Sequence, residues 1–326
     1  MRNLRLIILT LILVLGGLAA CSSANDNNEG NPSNKDNNTE NLVNNEEGEA
    51  SFPVTVRDGN GEEFTMEEEP ETIVSLIPSN TEIAYALGLG EKMVAGSDFD
   101  NYPEEALELE KIGGMELNTE AILALDPDLI LAHPGNPVEG IEQLEEAGLT
   151  IYVVEDATNF EEVYSSIEAV AKITGSAEKG QEIIEGMKSD IAAIEEKAEE
   201  ISEEDMEKVY IEISPAPEIY SPGQNTFEDD ILQLIHAENI VAEEGWVMLG
   251  EETVIESDPD FIIATYDFVE NAEEEIKSRD GWQDIAAVKE DHITVFDPDL
   301  VSRPGPRLIE GALELAKIIY PDVFNE

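Results

Sequence analysis

Four side chains that can hold a small molecule stand in predicted loops of this chain. Three are aromatic and one is cationic: Tyr102, Tyr220, Trp246 and Arg303. Aromatic rings offer a large contact area at a small entropic cost, and they make up only 6% of the sequence. Their presence in loops predicts a binding site in which the three rings and Arg303 contact the ligand.

Arg303 also has a second interpretation, which it shares with Arg307. The segment SRPGPR at 302–307 holds two of only 17 basic residues, against 75 acidic ones. In so acidic a chain, either arginine could instead satisfy neighbouring carboxylates or backbone carbonyls. The structural role is favoured for Arg307, which enters a predicted helix two residues after Gly305. For Arg303 both roles stay open.

The sequence lacks the residue patterns of common catalytic sites. It contains one cysteine and three histidines, and the histidines show no spacing typical of a metal site. No P-loop is present, and LGLG at 87–90 lacks the third glycine of a dinucleotide-binding loop. We therefore predict a protein that is not an enzyme and that has no cofactor or metal of its own. His133, at the end of a predicted strand, is the histidine best placed to reach a ligand.

A segment of the chain occurs twice, as EAILALDPDLILA at 120–132 and ETVIESDPDFIIA at 252–264. Each copy predicts a short helix followed by a buried strand, and the neighbouring elements recur in the same order. The repeat predicts two similar lobes, with Glu120 and Glu252 at equivalent places. These acids could simply stabilise their helices through the helix dipole, or they could dock the protein on a two-fold symmetric partner.

Short apolar strands alternate with helical segments in both halves of the chain. This alternation predicts parallel β-sheet in an α/β fold, here two Rossmann-like lobes with a ligand cleft between them. The predicted divisions are an N-terminal lobe at 51–159, a helical connector at 160–206 and a C-terminal lobe at 207–326. The turn sequence DGNG at 58–61 also predicts a β-hairpin ahead of the first sheet.

The connector carries one apolar stripe at helical spacing, with charged residues opposite. The stripe predicts a helix at about 177–201, which would span on the order of 37 Å. A helix of that length can lie across both lobes and join them stiffly. We therefore expect only a small change in the angle between the lobes when a ligand binds.

The first 20 residues have the pattern of an export signal. Two arginines precede an apolar run that is too short to cross a bilayer comfortably, and LAA precedes Cys21. The stretch resembles a bacterial lipoprotein signal, which implies cleavage before Cys21 and diacylation of its thiol. Residues 21–50 are rich in asparagine and poor in apolar side chains, so we predict a disordered tether. The folded part would then be held on the extracytoplasmic face of the cell membrane.

The formal net charge of the chain is −58. Such a surface repels the phosphate backbone of nucleic acid, which is therefore not an expected partner. The acids are spread along the whole sequence, a pattern typical of exposed proteins from salty or alkaline surroundings. We expect a monomer with acidic, solvated faces.

Four segments resemble receptors of ABC importers that take up cobalamin and iron–siderophore complexes, a family with a periplasmic-binding-protein-like fold. These segments are SLIPSNTE at 75–82, DNYP at 100–103, the stretch from Asn118 to Ala132, and RPGPR at 303–307. The resemblance implies two α/β lobes joined by one long rigid helix, which hold a ligand and make or break no bond. It also implies that Glu120 and Glu252 meet arginines on the two permease subunits of a transporter driven by a cytoplasmic ATPase.

The resemblance leaves the ligand open. Cobalamin receptors of this family place a tryptophan six residues before each docking glutamate; Trp246 matches this pattern, whereas Gly114 departs from it. The expected ligand is a metal chelate, either cobalamin or an iron–siderophore. One alternative is haem, for which Met115 and a histidine could serve as axial ligands. Another is an extracellular enzyme on a similar two-lobe scaffold.

Overall fold

The computed structural model describes residues 52–325. The predictions for the signal at 1–20, for Cys21 and for the tether at 21–50 fall outside the described residues. No helix within the described range is both long and apolar enough to span a membrane.

The described chain begins with the predicted hairpin, formed by β1 (Val54–Arg57) and β2 (Glu63–Met66). Its turn is held by Asp58, whose Oδ1 accepts hydrogen bonds from two backbone N–H groups of the following residues. At Gly59 a Cβ would lie 2.7 Å from the carbonyl oxygen of Val154, so only glycine fits this close approach. The hairpin is thereby anchored to the edge of the first lobe.

The N-terminal lobe contains a five-stranded parallel sheet with the order β5-β4-β3-β6-β7. Its strands are β3 (Ile73–Ser75), β4 (Met93–Gly96), β5 (Glu110–Lys111), β6 (Leu129–Ala132) and β7 (Ile151–Val153). Its helices are α1 (Pro78–Ala86), α2 (Thr119–Leu125) and α3 (Val138–Glu146). Every residue of β3 and β6 is buried, because helices or loops cover both faces of the sheet.

Two helices follow the first sheet, α4 (Phe160–Ile173) and α5 (Ala177–Ala198). The 22 residues of α5 span about 33 Å. This helix ends three residues before the predicted position 201. Its buried stripe includes Met187, Ile194 and Ala198, at the expected helical spacing.

The C-terminal lobe contains a four-stranded parallel sheet with the order β10-β8-β12-β13, and a separate antiparallel ribbon of β9 and β11. The strands are β8 (Lys208–Glu212), β9 (Tyr220–Pro222), β10 (Glu238–Asn239), β11 (Trp246–Met248), β12 (Phe261–Ala264) and β13 (Ile293–Val295). The helices are α6 (Phe227–Leu234), α7 (Glu251–Ser257), α8 (Ala272–Lys277), α9 (Ala286–Glu290), α10 (Asp299–Ser302), α11 (Leu308–Ile319) and α12 (Pro321–Phe324).

The sequence repeat corresponds to a structural repeat. The strand order β4-β3-β6-β7 of the first lobe matches β10-β8-β12-β13 of the second. Asp126 and Asp258, which end α2 and α7, both have a φ of 46° in the left-handed region. Asp128 and Asp260 each accept backbone N–H hydrogen bonds at the start of the adjacent strand. The repeated DPD therefore ends the helix and ties the next strand into its sheet.

Three apolar clusters form the core of the described chain. Alternate residues of β6 enter different clusters: Leu129 and Leu131 join the largest one, whereas Ile130 and Ala132 join the cluster under α2 and α3. The largest cluster also contains buried residues of α4, α5, α6 and α11, and it reaches one face of both sheets. The α/β fold with two lobes and a long joining helix is confirmed, and one apolar core runs through both lobes and the joining helices. The small change in lobe angle on ligand binding stays a prediction.

Candidate functional site

The two lobes meet at a cluster of charged side chains. Glu82, on α1 of the first lobe, accepts hydrogen bonds at Oε1 from Arg303 Nη1 at 2.9 Å and from Arg307 Nη2 at 2.8 Å. Its Oε2 accepts from Arg307 Nε at 2.8 Å. Both arginines follow β13, and α1 follows β3, so the carboxyl edges of the two parallel sheets face each other here. The space between these edges is called the cleft below.

A second group of contacts extends this junction. Asn101, in the loop after β4, donates from Nδ2 to Asp299 Oδ2 at 2.8 Å and accepts from Arg303 Nη1 at 2.7 Å. Arg303 Nη2 lies 2.8 Å from Asp299 Oδ1. Arg303 is thus surrounded by three acceptor side chains. Its contact with a ligand stays a prediction, and the structure gives the arginine a partner in each lobe.

Tyr102 lies at the same junction. Its ring is 45% exposed, and the guanidinium carbon of Arg307 lies 3.9 Å from the ring centroid. Hydrogen bonding to Glu82 raises the pKa of Arg307 above its usual range, so the guanidinium stays charged. A cavity of about 790 Å³ borders Tyr102, Glu82 and Arg307 and continues along α1. Tyr220 and Trp246 do not line this cavity, so it borders only Tyr102 of the three predicted binding rings.

Tyr220 and Trp246 are brought together by the ribbon of β9 and β11. Met248 is paired with Tyr220, and Trp246 is paired with Pro222. Paired residues share a face of a ribbon, as do alternate residues of one strand. Trp246, Met248 and Tyr220 therefore lie on one face, and the Trp246 side chain is 60% exposed. Met248 was not predicted from the sequence, because the ribbon that aligns it with Trp246 was not.

Two further exposed rings were missed in the sequence. Phe99 is three residues beyond β4 and 53% exposed; Phe268 is four residues beyond β12 and 73% exposed. Both follow the carboxyl end of a parallel strand, where ligands bind in α/β folds. That position was the signal that could have identified them. Together with Tyr102, Tyr220 and Trp246, they form an aromatic set at the carboxyl edges of both sheets.

A buried polar network supports the Phe268 side of the cleft. Glu212, fully buried at the end of β8, accepts from Arg279 Nη1 at 2.6 Å and from Arg279 Nη2 at 2.8 Å. It also accepts from the hydroxyls of Tyr210 and Tyr266. Burial, together with the adjacent Glu212 carboxylate, raises the pKa of both tyrosines, so they remain hydroxyl donors. The Tyr266 ring in turn packs on Phe268, with ring centroids 5.5 Å apart.

Glu120 and Glu252 occupy the same position in the two lobes. Each is the second residue of its helix, α2 or α7, and each side chain is exposed. Neither forms a hydrogen bond or an ion pair with another residue of the described chain. Their role in docking stays a prediction, and the geometry leaves both carboxylates accessible to a partner.

The three histidines are separated in the fold. His133 Nδ1 accepts a hydrogen bond from the N–H of Gly135, and its Nε2 lies 3.2 Å from Asp156. His236 follows α6, and His292 stacks on Phe261 with ring centroids 4.5 Å apart. Between residues 52 and 325, no group of three or more His, Cys, Asp or Glu side chains is placed to bind a metal ion.

Comparison with known proteins now decides the family. The sequence model for periplasmic binding proteins matches residues 73–300, more than half of the chain. The chain belongs to the periplasmic binding protein family. Its relatives include the uncharacterized ABC transporter substrate-binding lipoprotein YvrC of Bacillus subtilis, with 46% identity over 279 residues. That match covers 84% of this chain and 88% of the relative.

Two solved structures support the family assignment. A possible iron-binding, periplasmic solute-binding protein of Staphylococcus epidermidis has 33% identity and a TM-score of 0.70, covering 78% of this chain and 100% of that one. The periplasmic vitamin B12-binding protein BtuF of Vibrio cholerae has 30% identity and a TM-score of 0.65, covering 77% and 96%. The family resemblance and the two-lobe fold predicted from the sequence are confirmed. The chain is a binding protein and not an enzyme, so the alternative of an extracellular enzyme is wrong.

Proposed function

We propose that this chain is the extracytoplasmic substrate-binding component of an ABC importer, and that its ligand is a metal chelate, with cobalamin first and a ferric hydroxamate second. The observation that carries the ligand proposal is the aromatic set at the cleft, combined with the charge around it. Trp246, Met248 and Tyr220 present one exposed face, and Phe99 and Phe268 add rings from both lobes. Such a surface suits a large, rigid ligand with apolar edges.

The charge distribution supports a ligand without net negative charge. Arg303 and Arg307 are both engaged by Glu82. Lys111, at the carboxyl end of β5, donates to the backbone carbonyls of Asp100 and Ala106. These cations are thus already satisfied, and the rest of the chain is strongly acidic. A ferric catecholate, which carries several negative charges, would meet repulsion, whereas cobalamin would not.

Haem is the alternative ligand, and the same charge argument weakens it. Its propionates would also face acidic surroundings. His133 is engaged at both ring nitrogens, so an axial bond would require it to leave Gly135 or Asp156. Met115, which is highly exposed in the first lobe, is the remaining residue that the sequence suggested. We therefore place haem after cobalamin.

Delivery requires docking on the permease and retention near the membrane. Glu120 and Glu252 are exposed and equivalent, as a two-fold symmetric permease dimer would demand. The proposed anchor is a diacylated Cys21, which would hold the protein on the extracytoplasmic membrane face through the tether. A relative named as a substrate-binding lipoprotein supports this part of the proposal.

Ligand binding can be tested with the full-length protein purified in detergent. Cyanocobalamin, a ferric hydroxamate, a ferric catecholate and haem are titrated by calorimetry and by tryptophan fluorescence. Trp246 is exposed and Trp282 is buried, so quenching that is lost in Trp246→Phe reports on the cleft. We expect cyanocobalamin to bind at least 100-fold more tightly than the catecholate. Tightest binding of the catecholate would contradict the charge argument, and no binding of any chelate would contradict the proposed function.

A further inference from the structure

Positions 114 and 246 are structurally equivalent in the two lobes. They are separated by 132 residues, the same offset that relates Glu120 to Glu252. The residues just before them, Gly113 and Gly245, both have positive φ, at 98° and 72°. Further along, Leu117 packs against the core of the first lobe, and its counterpart Leu249 packs against that of the second. The duplication therefore extends upstream of the two helices and matches Gly114 with Trp246.

The ring of Phe99 lies where a side chain at position 114 would begin. A Cβ built on Gly114 would be 2.6 Å from Phe99 Cε2 and 2.8 Å from Phe99 Cζ, well inside normal contact distance. One side of the ring thus covers the backbone of Gly114. Because Phe99 is 53% exposed, much of the ring remains open. The first lobe therefore has an aromatic ring at the place where the second lobe has Trp246.

The loop that carries Phe99 is held against Gly114 by hydrogen bonds. The N–H of Asp98 donates to the carbonyl of Gly113 at 2.9 Å, and the N–H of Phe99 donates to Ser97 Oγ at 3.2 Å. Asp100, nearly fully buried, accepts from Ser97 Oγ at 2.9 Å and from Thr81 Oγ1 at 2.9 Å. These bonds fix the backbone on both sides of Phe99. The backbone that carries the ring is therefore held in place before any ligand arrives, which lowers the cost of binding.

We propose that Phe99 is a ligand-contacting ring of the first lobe, in addition to the predicted Tyr102, and that a ligand is held between Phe99 and Trp246. This inference rests on the proposed function, since it names a residue and a ligand class for the same cleft. A phenyl ring has no hydrogen-bond donor, so the contact that Phe99 itself makes is apolar. It suits a chelate that presents an apolar or π face on that side. Trp246 differs from Phe99 in that its indole N–H can donate a hydrogen bond to the ligand.

A double-mutant cycle with the full-length protein tests the inference, with cyanocobalamin as the calorimetric probe. Phe99→Ala should weaken binding about tenfold, as expected for the loss of one aromatic contact. Gly114→Ala should weaken it to a similar degree, because the new methyl group displaces the ring. The double variant should be no worse than Phe99→Ala alone, since the methyl group then has nothing to displace. Leu107→Ala, which removes another exposed apolar side chain of the first lobe, should leave the affinity unchanged.

Thermal midpoints of all variants are measured alongside, so that unfolding is not mistaken for lost binding. The double variant Phe99→Gly/Gly114→Trp places the aromatic side chain at position 114 instead of position 99. It should restore most of the affinity for cyanocobalamin. If Phe99→Ala binds normally while Trp246→Ala does not, the inference is wrong and the proposed function stands. Additive losses from Phe99→Ala and Gly114→Ala would also contradict it. A wild-type protein that binds no chelate of the panel overturns both.

Discussion

Glu82 and Arg307, which belong to different lobes, form a two-point ion pair. Arg307 Nε and Nη2 each lie 2.8 Å from one carboxylate oxygen of Glu82, and the Glu82 side chain is almost fully buried. Arg303 shares the same carboxylate. Since desolvation offsets much of the attraction in a buried pair, its main effect here is to fix where the lobes meet. It also occupies two cations that a negatively charged ligand would need.

Replacing Glu82 tests both effects. Glu82→Gln leaves two guanidinium groups without their common carboxylate, so we expect the free energy of unfolding to fall by about 3 kcal/mol. The freed arginines should also raise the affinity for anionic chelates relative to cyanocobalamin. Denaturant titration and calorimetry measure the two changes. Glu91→Gln, which alters an exposed acid beside the same cavity, is the control. Unchanged stability in Glu82→Gln would show that the pair is dispensable.

Glu228 should make stability depend on pH. This carboxyl group is buried in the first turn of α6, and burial raises its pKa to about 7, from an ordinary value near 4.5. Between these two values the folded state holds a proton that the unfolded state has released. The contribution of Glu228 to stability is therefore complete below pH 4.5 and is lost as the pH rises to 7.

Glu228→Gln removes this loss. We expect the variant to match wild type near pH 4.5 and to exceed its free energy of unfolding by about 3 kcal/mol at pH 8. Chemical denaturation of both proteins at several pH values gives their free energies of unfolding. The many other acids titrate alike in the two proteins, so their effect cancels in the difference. Glu196→Gln, on the exposed side of α5, should shift the curve little at any pH. A difference between Glu228→Gln and wild type that does not vary with pH would rule out this assignment.

Charge reversal at the equivalent acids tests docking. The double variant Glu120→Lys and Glu252→Lys should abolish uptake of labelled cobalamin by cells, because both contacts with the permease become repulsive. Its affinity for cyanocobalamin should stay within twofold of wild type, since neither residue is predicted to contact the ligand. Glu116→Lys with Glu256→Lys changes the net charge equally at other exposed positions, and uptake should persist. Normal uptake by the first double variant would refute the docking assignment.

Arg279 forms one ion pair with Glu212 and one with Glu275, and the two should contribute unequally to stability. Arg279→Met leaves the Glu212 carboxylate buried and uncompensated, so we expect a loss of about 4 kcal/mol in the free energy of unfolding. Glu275→Gln removes the more exposed partner of Arg279 and should cost less than about 1 kcal/mol. Thermal unfolding of the two variants makes the comparison. Equal losses would mean that burial does not govern this network.

Several elements could be predicted from the sequence because their signals are local. The DGNG turn determined the hairpin, and the spacing of apolar residues determined most of α5. The repeat around Glu120 and Glu252 indicated the duplicated lobes, whose matching strand orders the structure shows. The ribbon of β9 and β11 was missed because three-residue strands are too short to display an alternating pattern.

The candidate site likewise combines features that the sequence predicts with contacts that only the tertiary structure shows. The sequence by itself determined the α/β class, the duplication and the residue types available for binding, because turn chemistry and periodicity act over a few residues. Only the tertiary structure decided that Arg307 would pair with Glu82, 225 positions away, and that Phe99 would cover Gly114. Those contacts depend on how loops meet after the sheets have formed and the lobes have packed on one core. No local pattern encodes which side chains will then be neighbours.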